Sequence, residues 1–183
     1  MGVLVVGMVF LFGPAAFSAE PIKIGAMFIS SGKMGGYGKH AQQAIQLAID
    51  QINADGGVLG RKVEAIVEDT KLKKDVALAL AQRFVEQDKV DFLMGPTSSG
   101  IAMGLTEFAR ENKKILVLTQ AAADALTGAK FHPYVFSTLS NAMMHSRSGA
   151  YFMAAKPYKR YMCLGPDYSY GHSSWKMFKS KLQ

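Results

Sequence analysis

Residues 21–57, PIKIGAMFISSGKMGGYGKHAQQAIQLAIDQINADGG, leave few folds open to this chain. A short apolar run at 22–28 meets a glycine-rich turn that carries one tyrosine, Tyr37. An amphipathic stretch follows at 37–54, with Ala41, Ala44, Ile45, Ala48, Ile49 and Ile52 on one helical face. Gly56 and Gly57 stop it. A strand, a glycine turn and a helix start are the parts of a small-ligand site. Glycine permits positive φ and close backbone approach, and a helix start presents unpaired N–H groups.

The same alternation continues along the chain. Strands are expected at 63–68, 90–94, 115–118 and 134–137, and helices at 74–88 and 98–111. A helix at 143–155, a strand at 160–164 and a helix at 171–182 follow. Short apolar strands alternating with long helices imply an α/β fold with a doubly wound parallel sheet. In such a sheet the ligand lies off the carboxyl ends of the strands. Three loops then matter: 29–38, 95–100 and 119–125.

Each loop carries candidate groups. In GPTSSG, Ser98 or Ser99 fits the N-cap of the helix at 98–111. Free N–H groups and the positive helix end there can hold a carboxylate without a lysine, and serine hydroxyls add donors. The same serines also fit a plain capped helix. In TQAAAD, the small residues from Ala121 to Ala123 let a ligand reach the backbone, and they equally fit tight helix–sheet packing. Tyr37 can wall a pocket with its ring and aim its hydroxyl inward.

Cofactor and catalytic patterns fail. A phosphate-binding P-loop needs glycine where Lys33 stands and Ser or Thr where His40 stands. The dinucleotide pattern needs its glycines at the strand end, and here they come later. His40, His132, His145 and His172 lack metal-ligand spacing, and no serine sits in a G-x-S-x-G elbow. The reading is a protein that is not an enzyme and takes no cofactor or metal.

Residues 1–19 carry no charged side chain, and 3–12 form an apolar run ending in small residues around Ala16 and Ser18. This reads as a signal peptide over 1–18, cut after Ser18. The run is too short for a membrane anchor, which takes roughly 20 residues. The site is therefore expected to work outside the cytoplasm. Cys163 is the single cysteine, so no intrachain disulfide holds the fold, which must rest on its core. The net charge of +7 owes part of its excess to residues 156–183, where six basic residues face one acid, Asp167. No nucleic-acid motif accompanies that charge, and a solvated face accounts for it.

Taken together, four runs carry a resemblance: 22–70, FLMGPTSSG, ILVLTQAAADALT and GPDYSYG. In this order they resemble the periplasmic leucine/isoleucine/valine-type solute-binding proteins of ABC transporters, over nearly all of residues 21–183. The resemblance implies a periplasmic-binding-protein type I fold of two doubly wound lobes that close on a ligand. It assigns 19–138 to the first lobe and 139–183 to the start of an incomplete second one. The chain thus reads as an N-terminal portion of such a protein. The implied ligand is a branched-chain amino acid or a related amide or organic acid, and the implied partners are ABC permease subunits in the membrane. The family tyrosine on the first loop matches Tyr37, and the carboxylate-binding serine matches Ser98, with Ser99 beside it. The small residue whose carbonyl receives an amino group matches Ala121, and a second-lobe aromatic matches Tyr170. Ala123 stands where amino-acid binders usually carry threonine. A same-fold ligand sensor and an enzyme on a doubly wound sheet are the competing readings.

Overall fold

The computed structural model describes residues 20–182, so the leader read at 1–18 lies outside them. The element order is β1 (Ile22–Phe28), α1 (Gly35–Ala54), β2 (Val63–Asp69), α2 (Lys74–Glu86), β3 (Phe92–Met94) and α3 (Ser99–Glu111). Then come β4 (Ile115–Leu118), a one-turn α4 (Asp124–Thr127), β5 (Val135–Ser137), α5 (Ala142–Ala154) and α6 (Ser169–Leu182). All five strands are parallel, in the order β2-β1-β3-β4-β5. The order reverses at β1, with β2 on one side and β3 on the other. This is the doubly wound α/β sheet expected from the alternation of strands and helices.

Register explains the core. Gly25, Leu93, Leu116 and Val135 lie side by side across four strands. Leu93, Leu116 and Val135 are buried in one cluster with Ala77, Ala81 and Phe84 of α2 and Leu105 and Ala109 of α3. Gly25 has a packing reason: a Cβ there would stand 2.4 Å from a ring carbon of Phe84. The alternate rows are Ile24–Phe92–Ile115 and Ala26–Met94–Val117–Phe136. They belong to the opposite face, where Phe92, Met94, Ile115 and Val117 are half-buried and Phe136 is exposed. On the β1–β2 side of the sheet, α1 packs against β2 and β1.

Three expectations need correction. The stretch at 160–164 is not a strand. A strand needs a neighbour for its backbone groups, and none of the described residues pairs with it. Met162 and Leu164 are 90% and 95% exposed. Second, α1 begins at Gly35, two residues early, because Gly35 takes a helical φ of −59°. Within the glycine turn only Gly32 adopts positive φ, at 64°. Third, the apolar face of α1 is only partly used: Ala41, Ile45 and Ile49 are half-buried, whereas Ala44, Ala48 and Ile52 are exposed.

Candidate functional site

The carboxyl ends of β1, β3 and β4 meet in a cleft of about 630 Å³. α3 points its N-terminus into it, through Ser98, Ser99 and Gly100. The chain reaches α3 by way of Gly95, whose φ of +112° favours glycine. A Cβ at Gly95 would come within 2.2 Å of the Met27 carbonyl oxygen, so the turn also needs the space.

Ser98 occupies the N-cap of α3, with extended backbone angles and no capping bond from its side chain. The first bond of this helix runs from Ala102 N–H to the Ser98 carbonyl. The N–H groups of Ser99, Gly100 and Ile101 precede it and have no carbonyl one turn back. α5 differs: Asn141 caps it by accepting from Met144 N–H at 3.0 Å. The start of α3 therefore offers donors to the cleft, with the partial positive charge of a helix end behind them.

Ser99 has another duty. It is 2% exposed, and its hydroxyl oxygen accepts from the N–H groups of Ala122 and Ala123, each at 3.2 Å. Ala121 and Ala123 are buried behind the cleft, and Ala122 lines it. Tyr37 and Tyr170 both line it, so of the residues singled out in the sequence Tyr37, Ser98, Ser99 and Tyr170 share one wall system.

Further lining comes from Thr97, Gln120, Leu72, Leu139, His145 and Tyr168. Thr97 and Gln120 lie inside loops that the strand pattern had selected, and Tyr168 sits in GPDYSYG. Leu139 and His145 carry no local signal; they reach the cleft because the start of α5 folds back onto the segment that follows β4. Ala142 N–H donates to the Ala122 carbonyl at 2.7 Å, and Met143 N–H donates to Asp124 Oδ1 at 2.6 Å, which fixes that return.

The cleft's walls are apolar and aromatic. Among the described residues, no aspartate, glutamate, lysine or arginine lines it. Tyr168 and Tyr170 stand with ring centroids 6.3 Å apart. Burial, with Tyr170 and Tyr37 adding to it, holds the Tyr168 hydroxyl above its ordinary pKa, so it stays a neutral donor. Asp69 Oδ1 ties the β1–α1 loop to the end of β2 by accepting from Ser30 N–H at 2.9 Å, and it also accepts from Lys71 N–H at 2.8 Å in its own loop. Burial raises its carboxyl, but hydrogen bonds from Ser30, Ser31 and Lys71 and the Lys71 charge together hold it below the ordinary value.

His132 is buried, with Nε2 bonded to the Thr106 carbonyl at 2.9 Å and Nδ1 accepting from Tyr134 N–H. Among the described residues no cluster of His, Cys, Asp and Glu can hold a metal ion, and no helix is long and apolar enough to cross a membrane.

A cleft at the carboxyl edge of a parallel sheet, with an open helix start as its polar end, is where α/β domains of this kind place a small-molecule site. The sequence profile described as "Periplasmic binding protein" matches residues 21–183, and the chain belongs to that family. Over 116 residues it is 32% identical to the Leu/Ile/Val-binding protein BraC3 of Rhizobium johnstonii, covering 63% of this chain and 31% of that protein. The branched-chain amino acid transporter substrate-binding protein LivJ of Streptococcus pneumoniae, in complex with isoleucine, superposes with a TM-score of 0.72 at 26% identity. That match covers 88% of this chain and 46% of the other. An ABC transporter solute-binding protein of R. palustris, in complex with 4-hydroxybenzoate, gives 0.77 at 26% identity, over 88% and 43% of the two chains. The chain thus spans less than half the length of these proteins. They are solute-binding proteins, not enzymes.

Proposed function

We propose that this chain forms the ligand-holding half of an extracytoplasmic solute-binding protein that serves an ABC importer. The observation that carries the reading is the start of α3. The side chain of its N-cap serine makes no capping bond, and its first N–H groups open into a tyrosine-lined cleft. That arrangement suits one carboxylate at the polar end and an apolar or aromatic body against the walls. An amino acid, a small organic acid or a short amide fits it. The likeness to proteins in complex with isoleucine and with 4-hydroxybenzoate supports the same range.

Residues 19–138 act as the first lobe and 139–183 begin the second, with the crossover near 137–141 between them. Ligand contacts to both lobes favour the closed form, which the membrane permease recognises. The signal peptide at 1–18 directs the protein to the periplasm.

A thermal-shift panel tests the reading: branched-chain amino acids, short amides, urea and aromatic acids, each at millimolar concentration. A bound ligand raises the melting temperature in proportion to the logarithm of its concentration over Kd. At least one acid is expected to stabilise the protein, and Ser98→Ala to abolish that shift. Stabilisation by none of the panel, or an undiminished shift in Ser98→Ala, contradicts the proposal.

A further inference from the structure

Three cleft loops are joined by side-chain hydrogen bonds without any ligand. Thr97 Oγ1 donates to Gln120 Oε1 at 2.7 Å, and Gln120 Nε2 donates to the Tyr37 carbonyl at 3.3 Å. Thr97 Oγ1 also accepts from Ile29 N–H at 3.4 Å. Thr97 follows β3, Gln120 follows β4, and Ile29 and Tyr37 follow β1. Gln120 thus reaches from the β4 loop to the first turn of α1, although β3 lies between β4 and β1 in the sheet.

We propose that Gln120 is a positioning residue that holds the first turn of α1, and with it the Tyr37 ring, in place before ligand arrives. Two features make that turn need support. Three of its four residues, Gly35, Gly36 and Gly38, are glycine, which loses the most backbone freedom on ordering. Its N-cap, Met34, contributes no capping bond. Tyr37 is 56% exposed, so its own packing does not fix it. The amide suits the task, because the bridge needs one acceptor for the Thr97 hydroxyl and one donor for the Tyr37 carbonyl. A wall ordered in advance lowers the ordering cost of binding. This consequence rests on the cleft reading above; the bridge itself does not.

Hydrogen exchange on the ligand-free chain tests the bridge. In Gln120→Leu, amides 38–41 are expected to exchange about tenfold faster, with β3 and β4 unchanged. Gln120→Glu keeps the acceptor and loses the donor, so it speeds 38–41 and leaves Ile29 N–H as it was. Thr97→Val speeds Ile29 N–H as well. If 38–41 are unaffected in Gln120→Leu, or quicken only as much as β3 and β4, the proposal is overturned.

A binding arm uses L-leucine and 4-hydroxybenzoate as probes. Gln120→Leu is expected to weaken the bound probe about threefold to tenfold with Tyr37 present, and not in a Tyr37→Ala background. An equal loss in both backgrounds means that Gln120 does not act through Tyr37. If neither these probes nor any other acid of the thermal-shift panel binds the unaltered chain, the cleft reading fails, while the exchange result still decides the bridge.

Discussion

Residues 20–138 bury one face of their sheet under helices, whereas residues 139–182 leave several of their large apolar side chains exposed. In the first region one sheet face and two helices enclose Leu93, Leu116, Leu118, Phe84 and Leu105, each 0% exposed. In the second, α5 and α6 pack chiefly on each other, and Met144, Tyr151 and Phe152 remain 58–64% exposed. The expected strand at 160–164 has no partner among the described residues. The comparison teaches that a parallel strand is stable only when its neighbours and its covering helices are present. The first region holds both within itself, and the second holds two helices beside a stretch without regular secondary structure.

Truncation probes that contrast most strongly. Leu93→Ala is expected to cost about 2–5 kcal/mol, from lost burial and the cavity left in a full core. Phe152→Ala, a larger deletion on an exposed face, is expected to stay within about 0.5 kcal/mol. Denaturant titration measures both. Equal costs would mean that the two regions are built alike.

The two adjacent serines give a finer version. Ser99→Ala removes the acceptor of two N–H groups in a buried loop and is expected to cost about 1–3 kcal/mol of ligand-free stability. Ser98→Ala removes a hydroxyl that caps nothing, so ligand-free stability is expected to hold within about 0.5 kcal/mol while ligand stabilisation disappears. Thermal melts with and without the stabilising acid separate the roles. A loss of stability in Ser98→Ala larger than in Ser99→Ala would reverse them.

Much of this was legible in the chain. Strands 22–28 and 115–118 were readable to the residue: Pro21 opens the first, and Lys114 and Thr119 bracket the second. Ser98, Ser99, Tyr37 and Tyr170 were legible as cleft groups from loop position and family resemblance. The division of labour between the serines was not. It depends on which hydroxyl meets the Ala122 and Ala123 N–H groups, and that is a matter of tertiary approach. Leu139 and His145 were illegible for the same reason. The strand at 160–164 was over-read: local apolar character is necessary for a strand, but pairing decides it.

The smallest expected effect concerns acid. The Asp69 carboxyl lies below its unfolded value of about 3.9. Its contribution is therefore full above about pH 4 and fades as pH falls through the folded value. Asp69→Asn is expected to flatten the fall of stability in that window and to leave stability near pH 7 slightly lower. A pH series of melts on both proteins checks the sign, and an unchanged acid slope would remove Asp69 from the loop anchor.

The start of α3 as ligand anchor is tested most directly by amide NMR. The protein is titrated with L-leucine and with 4-hydroxybenzoate while the Ser99 and Gly100 N–H signals are followed. One of the two acids is expected to move those signals furthest of all amides in 20–138, saturably, and to leave them unmoved in Ser98→Ala. If neither acid shifts them, or if the largest shifts fall outside the cleft, the start of α3 is not where this protein holds its ligand.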